Sequence, residues 1–155
     1  MSDVPRSQTS YQVRFEWGAA GAAAVAVDAD VVAWVDEIGS EPVPAGARVT
    51  ALAEAAPFAD WCLARQEELG GRFRIAVVAA GATQPDGSLR FAVEDLLGAG
   101  AVIDALAELG IDHQSPEAAA AAVRTARTFR MACATWASAP SSSAPSASTP
   151  FCPPT

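Results

Sequence analysis

Two nearly continuous apolar runs constrain the fold of this chain more than any other feature. They are DVVAWVDE at 30–37 and RFRIAVVAA at 72–80. A strand that is covered on both faces carries such a run instead of an alternation of apolar and polar residues, and strands of this kind are typical of parallel sheets with helices on each side. The two runs therefore predict central strands of a layered α/β fold.

The segments around these runs predict helices that alternate with further strands. YQVRFEW at 11–17 alternates strictly, which predicts a half-buried strand with Gln12, Arg14 and Glu16 on its polar side. The remaining expected elements are a short helix at 18–27 and helices at 57–69, at 91–109 and from Ser115 to about Cys133. The pattern at 47–54 is ambiguous and favours a short strand. This order predicts an α/β domain with a mainly parallel sheet and flanking helices.

The two ends of the chain differ in composition from this domain. Residues 1–10 are polar and are expected to be flexible. Residues 136–155 consist almost entirely of Ala, Ser, Pro and Thr, which cannot bury enough apolar surface to fold, so a disordered tail is expected. The folded domain is therefore predicted to span residues 11–135.

Charge and hydropathy exclude several classes of function. The net charge is −8 and all ten basic residues are Arg. An acidic chain without a basic cluster is poorly suited to nucleic acid, where phosphate neutralisation supplies much of the affinity. No apolar run approaches the roughly 18 residues of a membrane span, and the first residues lack a secretory signal pattern. We expect a cytoplasmic protein that binds neither nucleic acid nor membrane.

Cysteine and histidine offer little for catalysis. The cysteines are Cys62, Cys133 and Cys152, and their spacing matches no zinc motif. Cys62 and Cys133 are expected to pack as small hydrophobic side chains. His113 is the only histidine and is expected on a surface loop, so a hydrolase triad built on histidine is not supported.

Acidic pairs stand at two points that matter in an α/β fold. Asp36 and Glu37 end the first apolar run, and ligands of open α/β sheets bind beyond the carboxyl ends of strands. Glu94 and Asp95 lie in the first turn of the 91–109 helix, where negative charge is favourable. These carboxylates are candidates for a site at one edge of the sheet; the alternative is that they only mark a strand end and a helix start.

The helix that carries Glu94 and Asp95 also contains Gly98 and Gly100. Each glycine costs about 1 kcal/mol relative to alanine inside a helix. We therefore expect another part of the backbone to approach this helix closely.

Three segments together resemble the 2-phosphosulfolactate phosphatase family, in particular its actinobacterial branch. They are YQVRFEWGAAGAAAV, ADVVAWVDEIGS and RIAVVAAGATQPDGSLRFAVEDLLGAGAVIDAL. With SPEAAAAAVRTAR they cover most of residues 11–130. The resemblance implies a magnesium-dependent phosphatase that acts on a small phosphorylated hydroxy acid.

The resemblance also implies roles for individual residues. Asp36 falls on the family aspartate, and Asp36, Glu94 and Asp95 would act in catalysis and as ligands of Mg²⁺. Gly81 would bind the substrate. From its position alone, Arg90 in the loop after the second strand is also a candidate for substrate binding, because an arginine can hold a phosphate by a bidentate contact; the alternative is that it belongs to a solvated face. Magnesium takes oxygen ligands, and it would polarise the phosphoryl oxygens of the substrate.

The chain also departs from the family pattern. It is truncated relative to the family, because GSEPVP runs directly into ARVTALAEAAPFADWCLA where the family has a longer middle. The usual Gly-Glu-Arg after the second strand is Gly81-Ala82-Thr83 here. A second hypothesis is therefore a catalytically inactive homologue that serves as a binding or dimerisation module. Loss of core segments exposes sheet edges, so a homodimer or poor solubility is expected.

Overall fold

The computed structural model describes residues 7–122, which form an α/β domain. The expected helix beyond residue 122, the 136–155 tail, Cys133 and Cys152 lie outside the described residues. The elements are β1 Val13–Trp17, α1 Gly18–Val25, β2 Val31–Val35, β3 Arg48–Thr50, a 3-10 turn at Leu52–Glu54, α2 Ala55–Leu69, β4 Ile75–Ala79, β5 Ala82–Thr83, β6 Leu89–Arg90 and α3 Val93–Glu108. A further helix, α4, begins at residue 116 and reaches residue 122.

The main sheet has four strands in the order β1-β4-β2-β3, and all of its pairings are parallel. The two apolar runs form β2 and β4, the two central strands, with Val31 opposite Ile75. Helices cover both faces of this sheet, so the prediction of a layered α/β fold with a parallel sheet is confirmed.

The two faces of the sheet carry cores of different size. The larger core packs α2 and α3 against the face that includes Phe15 and Val77, and Cys62 lies within it. Burial raises the pKa of the Cys62 thiol to about 12, so this cysteine serves as a small hydrophobic side chain as predicted. The smaller core packs α1 against Trp34 and Val78 on the opposite face.

Burial on both faces changes the expectation for β1. Arg14 and Gln12 are buried, whereas the alternating pattern predicted that they would face solvent. Arg14 is covered by the end of α1, where its guanidinium donates to the Val25 carbonyl at 3.1 Å. Gln12 finds its partners elsewhere, because its Nε2 donates to the Phe73 carbonyl at 3.1 Å and to the side chain of Gln66 on α2. β1 is therefore buried on both sides and not half-buried.

The outer edge of β1 is closed by two segments. The His113 carbonyl accepts from the N–H groups of Gln12 and Val13, and the Ser115 N–H donates to the Val13 carbonyl. Gln8 closes the next position, because its side-chain amide accepts from the Phe15 N–H at 3.0 Å and donates to the Phe15 carbonyl at 2.8 Å. Gln8 belongs to the 1–10 segment expected to be flexible, yet it is only 5% exposed.

Two short strands that the sequence pattern did not predict follow β4. β5 and β6 form an antiparallel hairpin, and the expected PDGS turn joins them. The Asp86 carboxylate accepts from the Ser88 N–H at 2.9 Å, which is the turn role predicted for Asp86. The hairpin lies between the end of β4 and the start of α3, beside the candidate site.

Helix α2 begins two residues before the predicted Pro57 and ends as expected at Gly70, which has a left-handed φ of 66°. The Ser115 hydroxyl accepts from the Ala118 N–H at 3.1 Å and so caps α4 as predicted. Among the helices within residues 7–122, none is both long enough and apolar enough to cross a membrane.

Candidate functional site

The carboxyl edge of the main sheet brings together the two acidic pairs that the sequence singled out. Asp36 and Glu37 follow β2 directly, and Glu94 and Asp95 lie in the first turn of α3. The two pairs are in contact, because the Asp95 carboxylate accepts from the Glu37 N–H at 2.9 Å. The predicted convergence of these carboxylates at one edge is therefore seen in the structure.

Asp95 lies at the centre of this edge and is only 2% exposed. Its Oδ1 accepts from the Glu37 N–H and its Oδ2 accepts from the Gly81 N–H, each at 2.9 Å. These bonds join the start of α3 to the ends of β2 and β4. Burial raises the pKa of Asp95, the two N–H groups oppose that shift, and the neighbouring charges add to it.

Asp36 shapes the loop that leaves β2. Its Oδ1 accepts from the Gly39 N–H at 2.8 Å and its Oδ2 accepts from the Glu41 N–H at 2.9 Å. The Glu41 carboxylate in turn accepts from the Thr83 N–H at 2.8 Å and from the Thr83 hydroxyl at 2.7 Å. A chain of carboxylates therefore ties this loop to the β5–β6 hairpin.

Glu37 explains one of the two glycines in α3. Its carboxylate accepts from the Leu52 N–H and lies against Gly98, where an added Cβ would come within 2.2 Å of Glu37 Oε1. The group that approaches Gly98 is thus a side chain, with Val35 also close, and not the backbone that the sequence analysis expected. Burial raises the pKa of Glu37, and the Leu52 N–H opposes that shift.

The crevice between the ends of β1 and β4 is filled by a side chain of the hairpin. The chain passes from β1 to α1 on one face of the sheet and from β4 to α3 on the other, and such points are where open α/β sheets bind ligands. Here an added Cβ would lie 3.2 Å from the Leu89 side chain at Gly18 and 2.7 Å from it at Gly81. Both glycines have positive φ, so the close approach and the backbone each require glycine.

The residues expected to bind substrate lie beside this crevice. Gly81 directs its N–H to Asp95. Arg90 is exposed on β6, where it pairs with Ala82.

His113 lies in an exposed loop, as predicted, and its ring packs on Tyr11 with a centroid distance of 5.5 Å.

The carboxylates at this edge do not fit a magnesium ion. Within the described part of the chain, residues 7–122, no three His, Cys, Asp or Glu side chains are arranged to hold a metal. Both oxygens of Asp36 and both oxygens of Asp95 already accept backbone N–H groups, whereas Mg²⁺ demands oxygen ligands in a near-octahedral arrangement. The metal role implied for Asp36, Glu94 and Asp95 has no support in this geometry.

An open cleft of about 500 Å³ lies next to this edge, on the outer side of β1. We call it the aromatic cleft, because Trp17 and Phe91 meet edge to face across it at a centroid distance of 4.9 Å. Sequence reasoning missed it, although the alternation in β1 and the aromatic residue before α3 were its visible signals. The lining residues are Phe15, Glu16, Trp17, Phe91, Leu96, Glu117, Ala120 and Ala121.

Comparison of the chain with protein-family models, with curated proteins and with solved structures finds no match.

Proposed function

We propose that this chain is a non-catalytic α/β module, related to the 2-phosphosulfolactate phosphatases, that acts by dimerisation instead of hydrolysis. One observation carries the proposal: six backbone N–H groups of the turns and loops at the carboxyl edge of the sheet are occupied by the protein's own carboxylates. The occupied donors belong to Glu37, Gly39, Glu41, Leu52, Gly81 and Thr83.

The chemistry of phosphate binding explains why this matters. Enzymes hold a phosphoryl group with backbone N–H donors at turns and helix starts, often with a bound cation. At this edge six turn and loop donors already have anionic partners, and the carboxylates of Asp36 and Glu94 lie nearby. A phosphate dianion would have to displace a carboxylate and would be repelled by the others.

The crevice between β1 and β4 supports the same conclusion. The Leu89 side chain lies against Gly18 and Gly81, so the usual ligand position of an open α/β sheet is filled by an apolar group. A substrate could enter only if the β5–β6 hairpin moved away from both strand ends.

Dimerisation is supported by the contrast between the two sheet edges. The outer edge of β1 is closed by Gln8 and by residues 113–115. The outer edge of β3 pairs with no other strand among the described residues, and Val49 on this strand is 51% exposed. An unpaired edge strand is a template for a second chain, and two copies joined through β3 would form one continuous sheet.

Activity measurements test the absence of catalysis. Phosphate release from p-nitrophenyl phosphate and from phosphosulfolactate is measured at high protein concentration, with Mg²⁺ and with a chelator. We expect no release above the buffer control under either condition. Turnover that is lost both in the chelator and in Asp36→Asn would overturn the proposal and establish the phosphatase hypothesis instead.

Light scattering over a range of protein concentrations tests dimerisation. We expect a dimer for the native chain and a monomer for Val49→Lys, because a charge on an edge strand opposes pairing. Val27→Lys is the matched control, since Val27 is 50% exposed but lies outside β3. A native chain that is monomeric at every concentration would remove the dimerisation role.

A further inference from the structure

The direction of the backbone groups in β2 decides which groups of β3 face outward. The Val31 N–H donates to the Arg74 carbonyl at 3.2 Å, and the Val35 carbonyl accepts from the Ala80 N–H at 2.8 Å. Both residues of β2 therefore direct their backbone groups towards β4. Because successive residues of a strand direct these groups to opposite sides, Trp34 directs its N–H and its C=O towards β3.

The register of the sheet carries this alternation into β3. Trp34 lies opposite Val49, and in a parallel pair a residue bonds to the two neighbours of the residue that it faces. Val49 itself therefore directs both its N–H and its C=O away from the sheet. The Leu52 N–H follows the same alternation, because it points back towards β2 and donates to the Glu37 side chain.

Turns close the outer edge of β3 on both sides of Val49. Ala47 and Ala51 face outward as Val49 does, two residues before it and two residues after it. The Ala47 N–H donates to the Pro44 carbonyl at 3.0 Å, and the Ala51 carbonyl accepts from the Glu54 N–H at 2.9 Å. Within residues 7–122, the outward groups that remain unpaired are the Ala47 carbonyl, the Ala51 N–H and both groups of Val49.

We propose that two copies of the chain pair through β3 in antiparallel orientation, with Val49 of one protomer opposite Val49 of its partner. This inference rests on the proposed dimerisation and specifies the orientation and register of the two strands. The two Val49 residues exchange both N–H···O bonds, and each Ala51 N–H donates to the Ala47 carbonyl of the other protomer. Every unpaired group of the edge then has a partner, and the same patch serves both protomers, as a closed two-fold dimer requires.

Neighbouring registers use fewer of these groups. A dimer centred on Arg48 would place the Val49 carbonyl opposite the Ala47 N–H, which a turn already uses. It would also set the two Arg48 side chains directly opposite each other, where like charges are destabilising. A dimer centred on Thr50 would place the Val49 N–H opposite the Ala51 carbonyl, which the 3-10 turn already uses. Of the three registers, the one centred on Val49 uses every unpaired group.

The side chains of β3 fit the same register. Val49 is 51% exposed on the α1 face of the sheet, so the two Val49 side chains would cover each other. On the opposite face the Arg48 guanidinium lies over the Trp61 ring of its own chain, with its central carbon 4.4 Å from the ring centroid. Arg48 would then stand opposite Thr50 of the other protomer, so that no like charges face each other.

Disulfide cross-linking of the full chain tests this register. Each cysteine variant is made in a Cys133→Ser/Cys152→Ser background, where the native thiol that remains, Cys62, is buried. The Cα atoms of a hydrogen-bonded antiparallel pair lie about 5.5 Å apart, which a disulfide can bridge. The two Arg48 Cα atoms would be about 8 Å apart in this register, beyond that reach. We expect at least about tenfold more cross-linked dimer in Val49→Cys than in Arg48→Cys.

Two further variants serve as controls. Val27→Cys reports chance collisions of an exposed thiol, since Val27 is 50% exposed but lies outside β3, and it should cross-link as weakly as Arg48→Cys. Val49→Pro removes an N–H that the protomer does not use itself, and proline is tolerated on an edge strand in that position. We expect this variant to keep the circular dichroism spectrum of the native chain and to be monomeric by light scattering.

The outcomes separate this inference from the dimerisation on which it rests. A dimer by light scattering in which Val49→Cys cross-links no more than Val27→Cys would overturn the register and leave the dimer standing. Stronger cross-linking of Arg48→Cys than of Val49→Cys would assign the dimer to the register centred on Arg48. A dimer that persists in Val49→Pro would show that the backbone of β3 is not the interface. A native chain that is monomeric at every concentration would remove both the register and the dimer.

Discussion

Two buried ionisable side chains of opposite charge, Arg14 at the start of β1 and Asp95 at the carboxyl edge of the sheet, are both held by hydrogen bonds to the backbone. Arg14 is 0% exposed and Asp95 is 2% exposed. The hydrogen bonds found for each of them join it to the backbone and not to an oppositely charged side chain. Both lie at helix ends, where partial charge of the helix favours them: Arg14 at the end of α1 and Asp95 at the start of α3.

The two differ in how fully the surroundings compensate the charge. The Arg14 guanidinium donates to four carbonyls, those of Thr9, Tyr11, Val25 and Val27. Burial lowers the pKa of Arg14 and the charge of Arg74 adds to that shift, whereas Asp28 and Asp30 oppose it. Asp95 has two N–H partners and lies among other acids. The comparison teaches that a buried charge at a strand end can be a structural clamp, and that it need not mark a catalytic site.

Replacing Arg14 should have the largest effect. Arg14→Met leaves up to four carbonyls without their donor in a buried place, and we expect a loss of about 4 kcal/mol in the free energy of unfolding. Urea unfolding followed by tryptophan fluorescence measures this loss. Arg74→Met is the matched control and should cost much less than Arg14→Met, because its ion pair with Asp30 is solvent-exposed. Equal costs for the two variants would refute the role of Arg14 as a clamp.

Replacing Asp95 should cost somewhat less. Asp95→Ala leaves the N–H groups of Glu37 and Gly81 without acceptors, for a loss of about 3 kcal/mol. Asp95→Asn should lie between the alanine variant and the native chain, since an amide offers one acceptor where two are needed. Hydrogen exchange at the Gly81 amide should accelerate in both variants, whereas Glu94→Gln should leave it unchanged. An unaltered Gly81 exchange rate in Asp95→Ala would contradict the assignment.

Filling the space at Gly98 should have a smaller effect. Gly98→Ala introduces a methyl group against Glu37 and Val35, which costs about 1–3 kcal/mol, while better helix propensity returns about 1 kcal/mol. We expect a net loss of about 1 kcal/mol in the native background. In a Glu37→Ala background the same change should cost less, because the nearest atom is gone and only the Val35 side chain, 2.8 Å from the added Cβ, remains close. Equal losses in both backgrounds would show that Glu37 is not the obstacle.

The pH dependence of the free energy of unfolding should show the smallest effect. The contribution of Asp95 should fall as the pH rises, whereas the contribution of Asp30 should fall as the pH decreases. Burial raises the pKa of Asp95 above 3.8, so its contribution is fully present below that value and is lost as the pH rises through the raised pKa. Unfolding measured from about pH 4 to about pH 8 should therefore show the advantage of the native chain over Asp95→Asn shrinking as the pH rises. An advantage that grows with pH would reverse this conclusion.

Asp30 should behave in the opposite way. Its bonds with Arg74 lower its pKa below 3.8 despite partial burial, so its contribution is present above that value and is lost only as the pH falls through the lowered pKa. Asp30→Asn should reduce stability by less than about 1 kcal/mol near neutral pH, because the pair is solvent-exposed. The difference between Asp30→Asn and the native chain should then disappear in strong acid.

Several parts of the candidate site were accessible from the sequence. The apolar runs indicated the buried strands, and the position of Asp36 at the end of one run placed it at the carboxyl edge. The first-turn acids Glu94 and Asp95 were expected at a helix start. Local patterns report these features because burial periodicity and helix termini depend on near neighbours along the chain.

The partners of these residues were not accessible in the same way. Asp95 bonds to Glu37, which is 58 residues away, and Arg14 bonds to carbonyls up to 13 residues away. The pattern in β1 predicted an exposed Arg14, because alternation records polarity and cannot record that α1 folds over that face. Leu89 in the crevice was likewise invisible, since a short hairpin carries little periodicity.

The amino-acid order alone therefore settles the parallel α/β sheet, its central strands and the edge at which the acids collect, because each follows from local apolar periodicity and chain direction. The tertiary structure decides whether those acids are free to act. Their hydrogen-bond partners come from distant strands and turns, and here folding supplies backbone N–H groups to Asp36, Glu37 and Asp95. The cost of leaving buried N–H groups without acceptors makes these carboxylates part of the scaffold.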